Sequence, residues 1–218
     1  MSDPIERIEH AGFRISIYRD EDCETPDRWG TTDLFLAARH RQFCVEGDPV
    51  RDPADAICSY DCDEEHEHTA ACPKEGSIKP DIAASYHVFG LYAYIHSGVS
   101  LSLGAHWAED DGWDTSQVGL VFASRSEWPD AAEAEKAAES LVKEWNDCLS
   151  GNVYGYVIEA ARRYRKVYLD SSGEATEETE GTEWENVDSC WRFIGDSDYC
   201  RAEAKAVAET MAAAAKED

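Results

Sequence analysis

The chain has 218 residues, with 46 Asp and Glu against 20 Lys and Arg, a formal net charge of −26. A hydrophobic fraction of 43% and an aromatic fraction of 11% exclude a disordered acidic tail, and the charge opposes direct binding to nucleic acid or anionic membranes. No run approaches the ~18 apolar residues of a bilayer span, and Met1-Ser2-Asp3-Pro4-Ile5-Glu6-Arg7 lacks a signal-peptide core, so a cytoplasmic protein is expected.

Residues 13–18 alternate Phe13, Ile15 and Ile17 with Arg14, Ser16 and Tyr18, the pattern of a half-buried strand. Residues 31–43 contain Leu34-Phe35-Leu36, which suits strand or helix equally. Residues 47–80 are rich in Asp, Pro, Cys and His and read as an irregular insertion outside the core. Residues 86–95 are aromatic and β-branched, and Val99, Leu101 and Leu103 alternate beyond them, so a hairpin turning at Ser97-Gly98 is expected. Residues 117–123 form another strand.

Ser124-Arg125-Ser126-Glu127 has capping-box spacing and predicts a helix start, with Pro129 disturbing its first turn. Ala134, Ala138, Leu141, Trp145 and Leu149 then keep helical spacing along one long amphipathic helix that ends at Gly151. Strands are expected at 152–159, 165–169 and 187–194, with an acidic loop at about 170–188. Residues 199–216 form an alanine-rich helix with a thin apolar face. The sum is an α+β fold: one domain over 1–218, an antiparallel or mixed sheet, the long helix and a C-terminal helix.

The charge is unevenly distributed. Windows 20–27, 61–67, 109–114 and 170–188 hold five, five, four and eight acids and no base, which accounts for 22 of the net charges. Such windows either keep a protein in solution, hold a cation, or form a surface for a basic partner. Under the last reading, Glu109, Asp110, Asp111, Glu174, Glu177, Glu178 and Glu180 are the binding residues. Arg162-Arg163-x-Arg165-Lys166 is the one basic cluster and is expected to offset neighbouring acidic segments.

Five potential metal ligands, Cys58, Cys62, His66, His68 and Cys72, lie within fifteen residues of the insertion. One structural zinc suits a segment with so few apolar side chains to order it. An acidic loop with incidental Cys and His, or a Cys58–Cys72 disulfide, are the alternatives. Cys148 and Cys190 sit in element-like segments and are expected as buried small hydrophobes. No GxSxG, phosphate-binding loop or HExxH is present, so no catalytic residue is assigned. A second reading gathers His96, Trp113, Asp114, Gln117, Asp188 and Trp191 around one pocket at a sheet edge, for a small molecule or a reaction.

Tyr94-Ile95-His96-Ser97-Gly98, Trp113-Asp114-Thr115-Ser116-Gln117-Val118-Gly119, Cys148 through Tyr156, and Asp188-Ser189-Cys190-Trp191-Arg192-Phe193-Ile194-Gly195 follow a recognisable order. They resemble the blocks YxHSG, WDxGQVG, YLxGxVYGY and DSCWGFxG of a family of bacteriophage and mobile-element proteins with no assigned activity. This chain carries Ser116 and Arg192 where that pattern has glycines, and the 47–80 insertion lies outside it. The resemblance implies a phage-type accessory protein in a host cytoplasm. With the charge, the expectation is a protein acting by binding: a nucleic-acid-mimicking inhibitor of a host or defence protein with a basic surface.

Overall fold

The strand signal at residues 13–18 is part of a larger antiparallel sheet. The computed structural model describes residues 3–22, 25–26, 33–40, 44–45, 50, 52–57, 77–96, 98–104 and 115–216. The fold is α+β, with two antiparallel sheets and three α-helices among the described residues, and the chain divides into two units: residues 1–23 with 151–218, and residues 24–150.

In the first unit, β1 (Glu6–His10), β2 (Phe13–Arg19), β8 (Val153–Leu169) and β9 (Ala175–Ile194) form a four-stranded sheet in the order β1-β2-β8-β9. Ile15 and Ile17 of β2 and Tyr154, Tyr156 and Ile158 of β8 point to one face. There they meet Cys200, Ala204 and Ala208 of α3 (Ser197–Ala214), one stripe at four-residue spacing. The thin apolar face is sufficient because small side chains let the helix approach the strands closely. Asp196 caps this helix through the Asp198 amide.

The second unit is a five-stranded sheet ordered β4-β3-β7-β5-β6. Its strands are β3 (Leu34–Arg39), β4 (Cys44–Val45), β5 (Tyr86–Ile95), β6 (Val99–Leu103) and β7 (Thr115–Ser124). β5 and β6 form the expected hairpin. On one face, Ala138, Leu141, Val142 and Trp145 of α2 (Ala131–Leu149) pack on Leu36, Leu91, Ala93 and Val121. The other face carries Phe35, Ala37, Leu120 and Phe122. Val50, Ala56, Ile57 and Ile78 cover it, together with Ile82 of the short helix α1 (Pro80–Ser85). Central β7 is therefore buried on both faces from Val118 to Ser124.

Three sequence expectations change here. The described ends of the 47–80 insertion belong to the core: Val50 and Ala56 are buried, and Ile57 bridges Ile78. A few small apolar residues suffice because the sheet supplies the rest of that layer. The long helix does not start at Ser124, which still belongs to β7; Asp130 caps it by accepting from the Ala132 and Glu133 amides. Pro129 explains the delay, because it holds the preceding residue out of helical geometry. Residues 175–188 are not a loop but most of a 20-residue strand, and only 170–174 turn.

Candidate functional site

β2 stops pairing with β8 at Ala160, yet β8 and β9 remain paired with each other as far as Leu169 and Ala175. Beyond Ala160 the chain is a two-stranded arm, about 30 Å long at ~3.4 Å per residue. Almost every residue in it is exposed. Little apolar burial holds this arm together, so most of its order must come from the backbone ladder and cross-strand pairs. Arg162 reaches Glu185 at 3.0 Å, Arg165 reaches Glu178 at 2.5 Å, and Lys166 lies 4.7 Å from the centre of the Tyr164 ring. The basic cluster thus faces the acidic strand, as its proximity in sequence suggests. Tyr164 also lies over Gly181, where an added β-carbon would fall 2.6 Å from its hydroxyl.

The turn is a local construction. Asp170 Oδ1 accepts from the Ser172 hydroxyl at 2.6 Å, the Ser172 amide at 2.8 Å and the Glu174 amide at 3.0 Å. These bonds, the Ser172 hydroxyl first, hold its carboxyl below the usual range. Gly173 takes φ +83°, which closes the hairpin at no steric cost. Val167, Tyr168 and Leu169 lead into this turn and are 45, 51 and 62% exposed, an apolar end to the arm with Val167 on one face and Tyr168 on the other.

The base of the arm is anchored. Arg14 donates from Nε and Nη2 to the two carboxylate oxygens of Glu159, both at 2.7 Å, and its guanidinium stacks 4.5 Å from the Trp184 ring centre. The hydrogen bond to Arg14 holds the Glu159 carboxyl below its ordinary range, against a smaller opposing effect of burial.

Of the expected binding residues, Glu174, Glu177, Glu178 and Glu180 stand on this arm. Glu177 pairs with Tyr168, whereas Glu178 and Glu180 pair with Val167 and Arg165, so alternation sends them to opposite faces. Glu109, Asp110 and Asp111 lie outside the described residues, as do Cys58, Cys62, His66, His68 and Cys72. Among the described residues no group of three or more His, Cys, Asp or Glu is placed to hold a metal. Cys190 is exposed on β9 and Cys148 is half-buried; among the described residues the buried thiol is Cys200, pushed up to about 12 by burial.

The expected pocket residues divide between the two units. Asp188 pairs with Ile158 and so lies on the α3 face of its sheet, next to Tyr156, whose hydroxyl burial pushes up to about 12. Trp191 lies on the opposite face, where its ring occupies the space above Gly155: a β-carbon there would fall 2.2 Å from the indole. Tyr18 accompanies it at 6.0 Å. Gln117 pairs with Tyr92 in the other sheet, and His96 continues the face of Tyr92 and Tyr94, stacking on the Tyr94 ring. His96 is four residues from Tyr92, about 13 Å along the strand. Trp113 and Asp114 lie outside the described residues.

Gln117 does line a cavity of about 280 Å³, with Arg39, Asp52, Pro53, Ile57, Val118, Gly119 and Leu120. The register shift opposite Leu91/Tyr92 leaves Val118 as an extra residue in β7. Gly119 admits the backbone of β3, since a β-carbon would sit 2.1 Å from the Ala37 carbonyl oxygen. Arg39 and Asp52 are bonded to each other at 2.5 Å, so the charges in this cavity answer one another. Its volume is below the ~300–1,000 Å³ of ordinary small-molecule sites.

The sequence reading missed Val167, Tyr168 and Leu169 as an exposed apolar end of the arm, and Arg39 and Asp52 as cavity residues. The only usable signal was the sequence proximity of the basic cluster to the eight-acid window. No family model, curated protein or solved structure matches the chain.

Proposed function

We propose that this protein acts by binding, using its acidic β8–β9 arm to occupy the basic, nucleic-acid-binding surface of a partner protein and so inhibit it. One observation carries this reading: the richest acidic window stands on a ribbon with solvent on both faces. Acids that merely keep a protein in solution need no such ribbon. Because Glu177 faces one way and Glu178 and Glu180 the other, the arm suits insertion into a basic cleft better than contact with a flat surface. The apolar end at Val167, Tyr168 and Leu169 adds desolvation energy to what would otherwise be a screened, salt-sensitive contact. The phage and mobile-element proteins that the sequence resembles favour a host or defence protein as the target. Steering by the net charge of −26 would make association fast at low salt.

The test is capture from a host lysate, at low and at high salt, by the wild type and by a variant with Glu174, Glu177, Glu178 and Glu180 changed to Gln. Nucleic-acid-binding proteins should dominate the wild-type eluate, and the variant should retain less of them with a flatter salt dependence. Capture unchanged by the four substitutions at every salt concentration would remove the arm as the contact surface.

A further inference from the structure

Among the described residues the arm leaves two strand edges open, the basic edge of β8 beyond Ala160 and the longer, acidic edge of β9, and the other sheet edges are not like them. β4 has two residues and β1 has five. β6 is closed in its middle, where Asn146 of α2 accepts from the Leu101 amide at 2.7 Å and donates to the Leu101 carbonyl at 2.9 Å. β9 is the outer strand of its sheet along 20 residues and, among the described residues, pairs with β8 alone. From Glu177 to Asn186 its register with β8 is unbroken, so ten residues present a straight edge.

Edges of this length are ordinarily blunted by Lys, by Pro or by inward-pointing charge, because unpaired N–H and C=O groups template further pairing. β9 contains neither Lys nor Pro; its charges are five Glu, one Asp and a single Arg. On its inner side it already shows what it accepts. β8 brings Arg162, Arg163, Arg165 and Lys166, and Arg162 and Arg165 bond acids of β9.

We propose that the outer edge of β9 takes an extended, Lys/Arg-rich segment of a partner as an added β-strand. Main-chain hydrogen bonds would supply affinity, and Glu177, Glu178, Glu180, Glu183 and Glu185 would supply specificity for basic side chains on both faces. The inference rests on the binding reading above and names the form of its contact. A second copy of this chain is the wrong occupant. Two β9 edges carry the same sign, and pairing β9 with a neighbour's β8 would bring together bodies of net charge −26.

The probe is a synthetic peptide of this chain's own basic strand, residues 161–169, offered to the full-length protein. Its control is the same peptide N-methylated at four successive residues, which keeps every charge but blocks both of its strand edges. The unmodified peptide should bind with hydrogen-exchange protection of β9 amides between residues 177 and 186, and the methylated peptide at least about ten-fold more weakly. Equal binding by the two peptides, or binding without protection of β9, overturns edge pairing and leaves the acidic-arm reading standing. If neither peptide binds while the protein still captures basic proteins, the edge inference fails alone. If no basic ligand binds at low salt, both fail together. Self-association of the protein at the concentrations used would assign the edge to a second copy and also overturn the proposal.

Discussion

Arg192 shows how one side chain can sit against its backbone. It takes φ +72°, in the region an L-residue enters at a cost of roughly 1–2 kcal/mol. It does so where β9 runs three residues from Cys190 to Phe193 against two on β8. That irregularity carries Trp191 across Gly155. Replacing Arg192 by Gly and by Ala removes the same side-chain contacts but only Gly removes the backbone cost. Arg192→Gly should therefore be more stable than Arg192→Ala by ~1 kcal/mol in urea titration; equal midpoints would mean the neighbouring strand relaxes around the residue. Glu159 gives a pH signature. Its carboxyl is held below the ordinary value of 4.5, chiefly by Arg14, so the stabilisation is complete above that value. It disappears as pH falls through the lower folded-state value. Glu159→Gln should cost ~1–2 kcal/mol at neutral pH, and the gap from wild type should begin to close only as pH falls below the ordinary carboxyl value of 4.5. A gap that stays constant into acid would show that packing under Trp184, not ionisation, is what the substitution removes.

At the scale of elements, the arm and its sheet are parts of the same two strands with different sources of order. β8 is buried from Val153 to Ile158, between β2 and β9 and against α3, and exposed from Ala161 onward apart from Tyr164. The distal half adds little apolar burial, so removing it should cost little. Joining Arg163 to Thr182 through Asn-Gly, in place of residues 164–181, keeps a cross-strand pair at the new turn. Thermal unfolding of this variant should lie within ~4 °C of wild type, while its capture of basic proteins should be lost. A larger fall in Tm would show that the arm supports the unit from which it projects.

For the whole molecule, a net charge of −26 on 218 residues is a standing repulsion that favours expansion. Added salt should relieve it: from ~10 to ~300 mM NaCl the screening length drops from about 30 Å to about 6 Å. Tm should rise by several degrees over that range and binding to any basic partner should weaken, two opposite responses from the same charges. A Tm that falls with salt would mean that pairs such as Arg14–Glu159 and Arg201–Glu6 outweigh the repulsion. Among the described residues no helix is long and apolar enough to cross a membrane.

The sequence by itself determined the α+β class, the strand at 13–18, the β5–β6 hairpin and the long and C-terminal helices. Each of these buries one face, and burial imprints a period on the chain. The strand from 175 to 188 was illegible because both of its faces meet water: Thr-Glu-Glu-Thr-Glu-Gly-Thr-Glu has no apolar alternation to read. Only pairing with β8, a non-local event, makes it a strand. The same holds for the site. Glu174, Glu177, Glu178 and Glu180 were legible as acids, but the register alone decided that they divide between two faces. Register likewise separated Asp188 from Trp191, because a side chain's face follows from which residue its strand pairs with and where the bulges fall.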